Sequence, residues 1–365
     1  MLLNIAILPG DGIGPEVIDE AVRVLEAIAA TFGHEPSLKK RDVGGAALTS
    51  SHDPLPQDTL QTCLASSAVL LGAVGGPAFD NVRTDLRPER GLLRLRRELG
   101  AFANLRPAVC FPALEDCSPL RPEVVRGANI LIVRELLGGI YFGEPRSTEG
   151  APGSRVAIDT MRYREPEIER IARVAFELAQ SRRRQVTSVD KANVLDCSRL
   201  WRDVVTRVAQ QYPDVQLRHT YVDSAAMALV SRPASFDVLL TENMFGDILS
   251  DQAGAIVGSI GVLGSASIGG PVALYEPVHG SAPDIAGRGI ANPVGAILSV
   301  AMMLRHSFHL SQEADCVEAA VASVLGAGHR TRDLAKLGQP AIDTAEMGRK
   351  IVAAIKEQAR LAEAI

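Results

Sequence analysis

The chain has 365 residues, 47% of them hydrophobic, and a formal net charge of -5; we therefore expect two domains or lobes and no nucleic-acid or anionic-membrane partner. Its five cysteines are scattered and form no C-x-x-C pair, which argues against a disulfide framework or a zinc cluster and favours a reducing, cytoplasmic setting. No apolar run approaches the roughly 20 residues that span a membrane.

The first eight residues form an apolar run that lacks the basic segment of a secretory signal, so they predict a strand. Further apolar runs of strand length alternate with helical patterns, which predicts an α/β fold with a mostly parallel central sheet. A polar segment rich in glycine and proline predicts a protruding hairpin arm, a common means for one protomer to clasp another. We expect strands at 2–8, 69–72, 129–133 and 185–188, helices at about 15–31 and 167–181, and the hairpin around 140–158.

A glycine turn, Gly10-Asp11-Gly12-Ile13-Gly14, follows the first strand and opens a helix, as in a dinucleotide-binding Rossmann domain. The Rossmann pattern requires glycine where this chain has Pro15, and no strand with an acidic end follows about 20 positions on. The turn therefore favours a fold other than Rossmann, although a cofactor can still lie against it.

Three arginines occupy apolar settings. Arg96 lies on the apolar stripe of a predicted helix, Arg106 precedes a proline, and Arg134 ends an apolar strand. Guanidinium groups in such places usually bind a carboxylate or phosphate through paired hydrogen bonds. Each arginine alone is explained equally well by an internal salt bridge, but the three together favour a small anionic substrate.

Two residues, Lys191 and Asp223, each follow a predicted strand, where parallel sheets keep their functional sites. A desolvated lysine at such a place can accept a proton, although either residue alone is more often a surface charge. A second acidic feature is the pair Asp247 and Asp251, which share one face of a predicted helix. Like charges so close repel, so the pair predicts a divalent cation; alone, a solvated acidic helix face is commoner.

Together these motifs resemble the isocitrate/isopropylmalate dehydrogenase family of metal-dependent β-decarboxylating dehydrogenases, over essentially the whole chain. The resemblance implies a two-lobed α/β fold that is not a Rossmann domain. Residues 1–101 plus 258–365 would form a cofactor-side domain, and 102–257 would form a second domain with the dimer interface and the arm. The strongest stretches of likeness are 91–96, 104–107, 134–141, 190–194, 242–251 and 276–284.

The resemblance also implies an activity: oxidative decarboxylation of (2R,3S)-3-isopropylmalate to 4-methyl-2-oxopentanoate and CO2 with reduction of NAD, a step of leucine biosynthesis. It implies a homodimer whose active sites contain residues of both subunits. A related enzyme acting on tartrate, D-malate or homoisocitrate is the main alternative. A catalytically silent subunit or a simple metal- or anion-binding module is disfavoured, because the expected polar residues are all present.

For the substrate, a small 2-hydroxy diacid, the resemblance implies that three arginines hold the carboxylates. Apolar residues would line the pocket for the third substituent, where an isopropyl group fits and a carboxylate would be desolvated without a partner. These substrate residues are Arg96, Arg106 and Arg134, with Leu92, Leu93 and, from the neighbouring subunit, Val194.

For catalysis, the resemblance implies that Asp247 and Asp251, with Asp223 of the partner subunit, bind Mg2+ or Mn2+. Asp223 would also contact the substrate and take part in catalysis. Lys191 of the partner subunit would assist removal of the hydroxyl proton, and Tyr141 would protonate the enol after CO2 leaves. The negative charges of the substrate and the aspartates would be balanced by the positive charges of the arginines and the metal, so the pocket would be close to neutral.

For the cofactor, the resemblance implies a loop around residues 276–292 that holds adenosine, with His279 near the adenine and Asp284 on its ribose. A carboxylate accepts hydrogen bonds from ribose hydroxyls and repels a 2′-phosphate, so Asp284 favours NAD over NADP. The cofactor-binding residues would be Ile13, Glu276, His279, Gly280, Ser281, Ala282, Asp284 and Asn292.

Overall fold

The structure is a computed structural model that describes residues 1–363. Its strands are β1 (Leu2–Gly10), β2 (Glu35–Lys40), β3 (Ala68–Ala73), β4 (Ala103–Val109), β5 (Asn129–Glu135), β6 (Ser147–Glu149), β7 (Val156–Ile158), β8 (Gln185–Asp190), β9 (Gln216–Tyr221), β10 (Val238–Thr241), β11 (Gly264–Ile268) and β12 (Ala273–Pro277). Its α-helices are α1 (Gly14–Phe32), α2 (Gly44–Ser51), α3 (Gln57–Leu64), α4 (Pro88–Glu98), α5 (Pro122–Val125), α6 (Glu165–Gln180), α7 (Asp196–Ala209), α8 (Val222–Ser231), α9 (Asn243–Ile256), α10 (Val294–His306), α11 (Ser311–Gly326) and α12 (Thr344–Glu363).

Ten strands form one sheet in the order β2-β1-β3-β12-β11-β4-β5-β10-β8-β9. The pairings are parallel except for β12 with β11, β11 with β4, and β4 with β5. The predicted α/β fold with a mostly parallel sheet is therefore confirmed. Because β5, β10, β8 and β9 run in parallel, the segments that follow them emerge at the same edge of the sheet, where such folds keep their sites.

The central strands are buried because helices cover both faces of the sheet. Strands β3 and β10 are buried at every position, as expected for parallel strands packed on two sides. One large core contains α1, α6, α7 and α10, and a smaller one on the first half of the sheet contains Leu71, Leu95 and Leu99. Leu95 and Leu99 anchor α4, so the packing of that helix fixes the direction of its polar residue Arg96.

Strands β6 and β7 form a separate antiparallel hairpin, with Ser147 opposite Ile158. Its apolar side chains Val156 and Ile158 are exposed. The proposed domain boundaries near residues 101 and 257 stay a prediction, and residues 364–365 of the first predicted domain lie outside the described part of the chain. Within residues 1–363, no helix is both long enough and apolar enough to cross a bilayer.

Candidate active site

Helix α9 begins directly after β10 and carries the acidic pair. The carboxylate of Glu242 caps its first turn by accepting hydrogen bonds from the backbone N–H groups of Met244 (3.1 Å) and Phe245 (2.5 Å). Asp247 and Asp251 follow on the same face of the helix, and their side chains are 33% and 58% exposed. The cap fixes where the helix starts, and so fixes where the acidic face points.

Two buried arginines meet this acidic face. The Nη1 atom of Arg106 lies 3.4 Å from Asp247 Oδ1 and 3.3 Å from Asp251 Oδ1. The Nη1 atom of Arg134 lies 2.5 Å from Asp247 Oδ1, and its side chain is only 2% exposed. Asp247 is therefore more than an acidic side chain on a solvated helix face, whereas Asp251 remains exposed although it contacts Arg106. Internal salt bridges were one of the two explanations that the sequence allowed for these arginines. Both arginines form such bridges, and their partners are the expected metal ligands.

The backbone of α9 approaches Arg134 unusually closely at Gly246. A Cβ at that position would lie 2.6 Å from Arg134 Cγ and 2.3 Å from Thr241 Oγ1. Only glycine allows this contact, so Gly246 lets the acidic helix lie directly on the arginine. Burial lowers the pKa of Arg134 to about 10, which still leaves the guanidinium charged at neutral pH.

Arg96 completes the cluster of three arginines from α4. Its Nη2 donates to Glu276 Oε1 at 2.7 Å, whereas its buried Nε has no hydrogen-bond partner among the described residues. A buried cationic N–H donor without an acceptor destabilises the fold unless a ligand supplies the acceptor, so this atom is suited to an anionic substrate. Glu276 lies in β12 beside Arg96 and adds a carboxylate that the sequence-based charge balance left out. Its predicted contact with the cofactor stays a prediction.

Tyr141 ends a short 3-10 turn, Gly139–Tyr141, that follows β5. Its hydroxyl donates a hydrogen bond to Asp247 Oδ2 at 2.9 Å. Burial, reinforced by the charge of Asp247, raises the pKa of Tyr141 to about 12, so the phenol keeps its proton at neutral pH. The turn therefore presents a protonated hydroxyl at the acidic face of α9.

Lys191 and Asp223 form a pair of their own at the ends of β8 and β9. Lys191 Nζ lies 3.0 Å from Asp223 Oδ2, and the two side chains are 27% and 60% exposed. Among residues 1–363, no three acidic, histidine or cysteine side chains of one chain are close enough to hold a metal ion. Asp247 and Asp251 supply oxygen ligands suited to Mg2+ or Mn2+, but one chain provides only this pair, so the predicted metal site requires a further ligand.

The glycine turn after β1 lines a cavity of about 410 Å³ together with glycines from the start of α2 and from the loop after β3. Asp11 organises these walls, since its carboxylate accepts hydrogen bonds from the backbone N–H groups of Gly45, Ala46 and Gly75 at 2.7 to 2.8 Å. Gly12 has a φ of 59°, and a Cβ there would lie 2.0 Å from Ser281 O. The turn thus packs backbone to backbone against the loop after β12, and leaves a glycine-lined cradle beside this contact.

Two of the expected cofactor residues, Ile13 and Ser281, form this junction. The backbone N–H of Ile13 donates to Ser281 O at 2.8 Å. His279 Nδ1 lies 2.9 Å from Gly280 O, and its Nε2 is buried without a partner in the described part of the chain. Asp284 is exposed at the surface of the loop.

Two further expected cofactor residues, Ala282 and Asn292, shape the loop after β12. Ala282 has a φ of 38°, the left-handed region, in the middle of the loop. Asn292 Oδ1 accepts from Val294 N and its Nδ2 donates to Asp333 Oδ2, each at 3.0 Å, so its side chain shapes the loop end. Direct cofactor contacts by these residues stay predictions.

The model of the isocitrate/isopropylmalate dehydrogenase family matches residues 4–351 of this chain. The chain belongs to this family. Its relatives include a 3-isopropylmalate dehydrogenase of Aquifex aeolicus, 54% identical over 349 residues that cover 96% of each chain. Another, from Geobacillus kaustophilus, is 55% identical over 362 residues, 99% of this chain and 97% of the relative.

Solved structures agree with the family assignment. An isocitrate dehydrogenase from Methylococcus capsulatus superimposes with a TM-score of 0.86 at 36% identity, covering 96% of this chain and 99% of that one. A beta-decarboxylating dehydrogenase from Thermococcus kodakarensis gives a TM-score of 0.79 at 38% identity, with 98% of both chains covered. The chain therefore has the fold of the isocitrate/isopropylmalate dehydrogenase family.

Some polar residues of this family member gain a role only in the structure. Ser250 Oγ accepts a hydrogen bond from Arg106 Nη1 at 2.7 Å. At the start of α9, the backbone N–H of Asn243 donates a hydrogen bond to the hydroxyl oxygen of Tyr163. Glu16 ties the first helix to the cofactor loop. The only signal in the sequence was that Asn243 and Ser250 stand in the motif of the metal helix, and Glu16 at a helix start.

Proposed function

We propose that this chain catalyses the oxidative decarboxylation of (2R,3S)-3-isopropylmalate to 4-methyl-2-oxopentanoate and CO2 with reduction of NAD, in leucine biosynthesis. The relatives named 3-isopropylmalate dehydrogenase, at more than half identity over nearly the whole chain, support this substrate. The single observation that carries the proposal is a cluster of three buried guanidinium groups beside carboxylates: Arg106 and Arg134 pair with Asp247, and Arg96 pairs with Glu276. This cluster provides a site for a small diacid next to oxygen ligands for a metal.

The arginines would bind the two carboxylates of the substrate. Arg96 has its Nε free, and each guanidinium has more N–H groups than its protein partners occupy. Leu92 and Leu93 precede Arg96 on α4 by about one turn and are partly buried, so they would face the third substituent. An isopropyl group suits such a surface, whereas a third carboxylate there would lose hydration at a cost of about a few kcal/mol.

Asp247 and Asp251 would hold Mg2+ or Mn2+ together with Asp223 of the partner subunit. Bound at these carboxylates, the metal supplies a Lewis acid for negative charge that develops on the substrate oxygen. Arg106 and Arg134 already contact the carboxylates, so the aspartates are held in place before the metal binds. Such preorganisation lowers the cost of bringing two like charges together.

Two proton transfers would frame the decarboxylation. Lys191 of the partner subunit, as the neutral amine, would accept the hydroxyl proton during oxidation at C2, and Asp223 would orient its Nζ through the 3.0 Å contact. Tyr141 would then deliver its hydroxyl proton to carbon after CO2 leaves. Its hydrogen bond to Asp247 points the phenol toward the carboxylate that would hold the metal.

The cofactor would lie in the glycine-lined cradle, with the loop around residues 276–292 against its adenosine. Because Asp284 is an exposed carboxylate on that loop, it is suited to ribose hydroxyls and would repel a 2′-phosphate, which favours NAD over NADP. In this proposal residues 1–101 with 258–365 form the cofactor-side domain, and 102–257 form the second domain.

The proposed enzyme is a homodimer that completes each active site with residues of both chains. Large apolar side chains are exposed on α8, on α9 and beside Lys191, at Met227, Ile248 and Val194, with exposed fractions of 67%, 59% and 61%. The arm exposes apolar residues as well. Exposed large apolar side chains are common in protein interfaces, and these three lie on the same segments as Asp223, Asp247 and Lys191.

The test is NADH formation with a panel of 3-isopropylmalate, isocitrate, tartrate, D-malate and homoisocitrate, before and after removal of metal with EDTA. We expect 3-isopropylmalate to give the highest kcat/KM, with activity lost in EDTA and restored by Mg2+ or Mn2+. A higher kcat/KM for another acid of the panel would contradict the proposed substrate and assign that acid instead. Undiminished turnover after metal removal would contradict the metal-dependent mechanism.

A further inference from the structure

Asn243, the first residue of α9, is fully buried and uses both ends of its side-chain amide. Its Oδ1 accepts hydrogen bonds from Arg134 Nε at 3.0 Å and Nη2 at 2.7 Å. Its Nδ2 donates to the backbone oxygens of Leu136 at 3.1 Å and Gly138 at 3.0 Å. The partners determine the orientation of the amide, because guanidinium groups only donate and carbonyl oxygens only accept.

The first contact orients a substrate-binding arginine. Nε and Nη2 form the side edge of the guanidinium plane, and Asn243 occupies that edge, while Asp247 takes a hydrogen bond from Nη1. The end edge, between Nη1 and Nη2, retains N–H groups that can bind a carboxylate as a pair. Asn243 thus fixes the plane in which Arg134 offers these groups.

The second contact holds the chain that leads into Tyr141. Residues 136–138 connect β5 to the 3-10 turn Gly139–Tyr141. The buried carboxylate of Glu135 binds the backbone N–H groups of Leu137 and Gly138, and Asn243 binds the carbonyl groups of the same segment. With its donors and acceptors both bound, this segment has little freedom to move the tyrosine.

We propose that Asn243 is a positioning residue that couples Arg134 to Tyr141. It would fix the position of the substrate-binding guanidinium of Arg134 relative to the proton-donating hydroxyl of Tyr141. This rests on the proposed function, because Tyr141 is assigned there as the proton donor. A misplacement of about 1 Å in such a group can cost a hundredfold in rate, so one buried amide is sufficient to matter.

The test separates the two ends of the amide. Asn243→Asp keeps an oxygen acceptor for Arg134 but sets a second oxygen against the carbonyl groups of Leu136 and Gly138. We expect kcat to fall about 30-fold while the KM for the acid changes less than about 3-fold. Asn243→Leu, which has no acceptor, should lower kcat and also raise that KM about tenfold.

A double-mutant cycle with Tyr141→Phe identifies the route of the effect. If Asn243 acts through Tyr141, Asn243→Asp should cost less than about 3-fold in kcat once the phenol is absent. The matched control is Asn104→Asp. This buried asparagine accepts from Arg106 Nε at 2.8 Å but does not contact the turn of Tyr141, so the effect of its replacement should be the same in both backgrounds.

An undiminished loss for Asn243→Asp in the Tyr141→Phe background would overturn the proposal in favour of a general structural role. So would a change in KM for Asn243→Asp as large as its change in kcat. Circular dichroism and melting curves verify the folding of each variant. Should the aspartate variant not fold, Asn243→Ser, which leaves room for a water molecule, takes its place in the same cycle. The cycle uses whichever 2-hydroxy acid of the panel the wild type oxidises best. A wrong substrate assignment would therefore appear in the panel and would not affect the result of the cycle.

Discussion

Glu276 illustrates why partners of single residues are hard to predict from sequence. The resemblance implies that it begins the loop that holds adenosine, which stays a prediction, and the structure adds a contact of 2.7 Å between its carboxylate and Arg96. The two residues are 180 positions apart, and only the pairing of β12 with β3 brings this strand into the same half of the sheet as α4. Residue types and motifs identified the arginines, but their counter-charges depend on the fold.

Leu92 is the residue at which substrate choice is most directly tested. Leu92→Glu introduces a carboxylate opposite the expected isopropyl group, where it would be desolvated or would draw water into the pocket. We expect kcat/KM for 3-isopropylmalate to fall at least about a hundredfold, in line with an unpaired polar group in an apolar pocket. Steady-state NADH formation measures this directly.

The control for that variant is Leu92→Met, which keeps an apolar side chain of similar volume and should change kcat/KM less than about tenfold. Melting temperatures of both variants should stay near that of the wild type, because Leu92 is only partly buried and Leu95 anchors the helix. A glutamate variant with wild-type kcat/KM for 3-isopropylmalate would remove α4 from substrate selection.

At the scale of elements, the strongly apolar strands and the amphipathic helices were predictable from sequence. Strand β5 starts at the predicted residue, and α1 and α6 lie within two residues of their predicted ends. Strand β11, Gly264–Ile268, escaped prediction because its sequence, Gly-Ser-Ala-Ser-Ile, lacks an apolar alternation. It is buried between β12 and β4, where small residues pack tightly against helix α10 and local propensity gives no signal.

Glu16 links helix α1 to the loop in which the cofactor is proposed to bind. Its carboxylate accepts hydrogen bonds from the backbone N–H groups of Gly287 at 2.5 Å and Gly289 at 3.0 Å, which ties the start of α1 to the cofactor loop. Glu16→Gln replaces one acceptor oxygen by a donor, so one of these amides loses its partner. We expect the KM for NAD to rise about 3- to 10-fold, with little change in the KM for the acid.

The matched control is Glu26→Gln, an exposed glutamate of the same helix, which removes the same charge without touching the loop. It should leave both KM values unchanged. Initial rates at varied NAD and fixed acid give the comparison. Equal effects of the two substitutions, or a rise in the KM for the acid alone, would show that Glu16 does not act through the cofactor loop.

At the scale of the whole molecule, the two clusters of one chain are each incomplete. Asp247 and Asp251 have arginines and Tyr141 beside them but, among residues 1–363, no third acidic, histidine or cysteine side chain close enough to share a metal. Lys191 and Asp223 of the same chain pair with each other instead. Exposed apolar side chains, Val194, Met227 and Ile248, lie on the segments that carry the two clusters. A two-fold arrangement that brings one cluster of each chain against the other cluster of its partner completes two equal sites.

The measurement that tests this most directly is complementation between two variants, Lys191→Met and Asp251→Asn. Each homodimer carries the same defect in both sites, and we expect each to lose about a hundredfold or more in kcat because a proton acceptor or a metal ligand is missing. Purified heterodimers, made by coexpression with two affinity tags, contain one site with both defects and one site with neither.

If the sites are shared, the heterodimer recovers about half of the wild-type kcat, since one of its two sites is intact. If each site belongs to one chain, both sites of the heterodimer are defective and its kcat stays at the level of the homodimers. The account predicts the first result, and the second would contradict it.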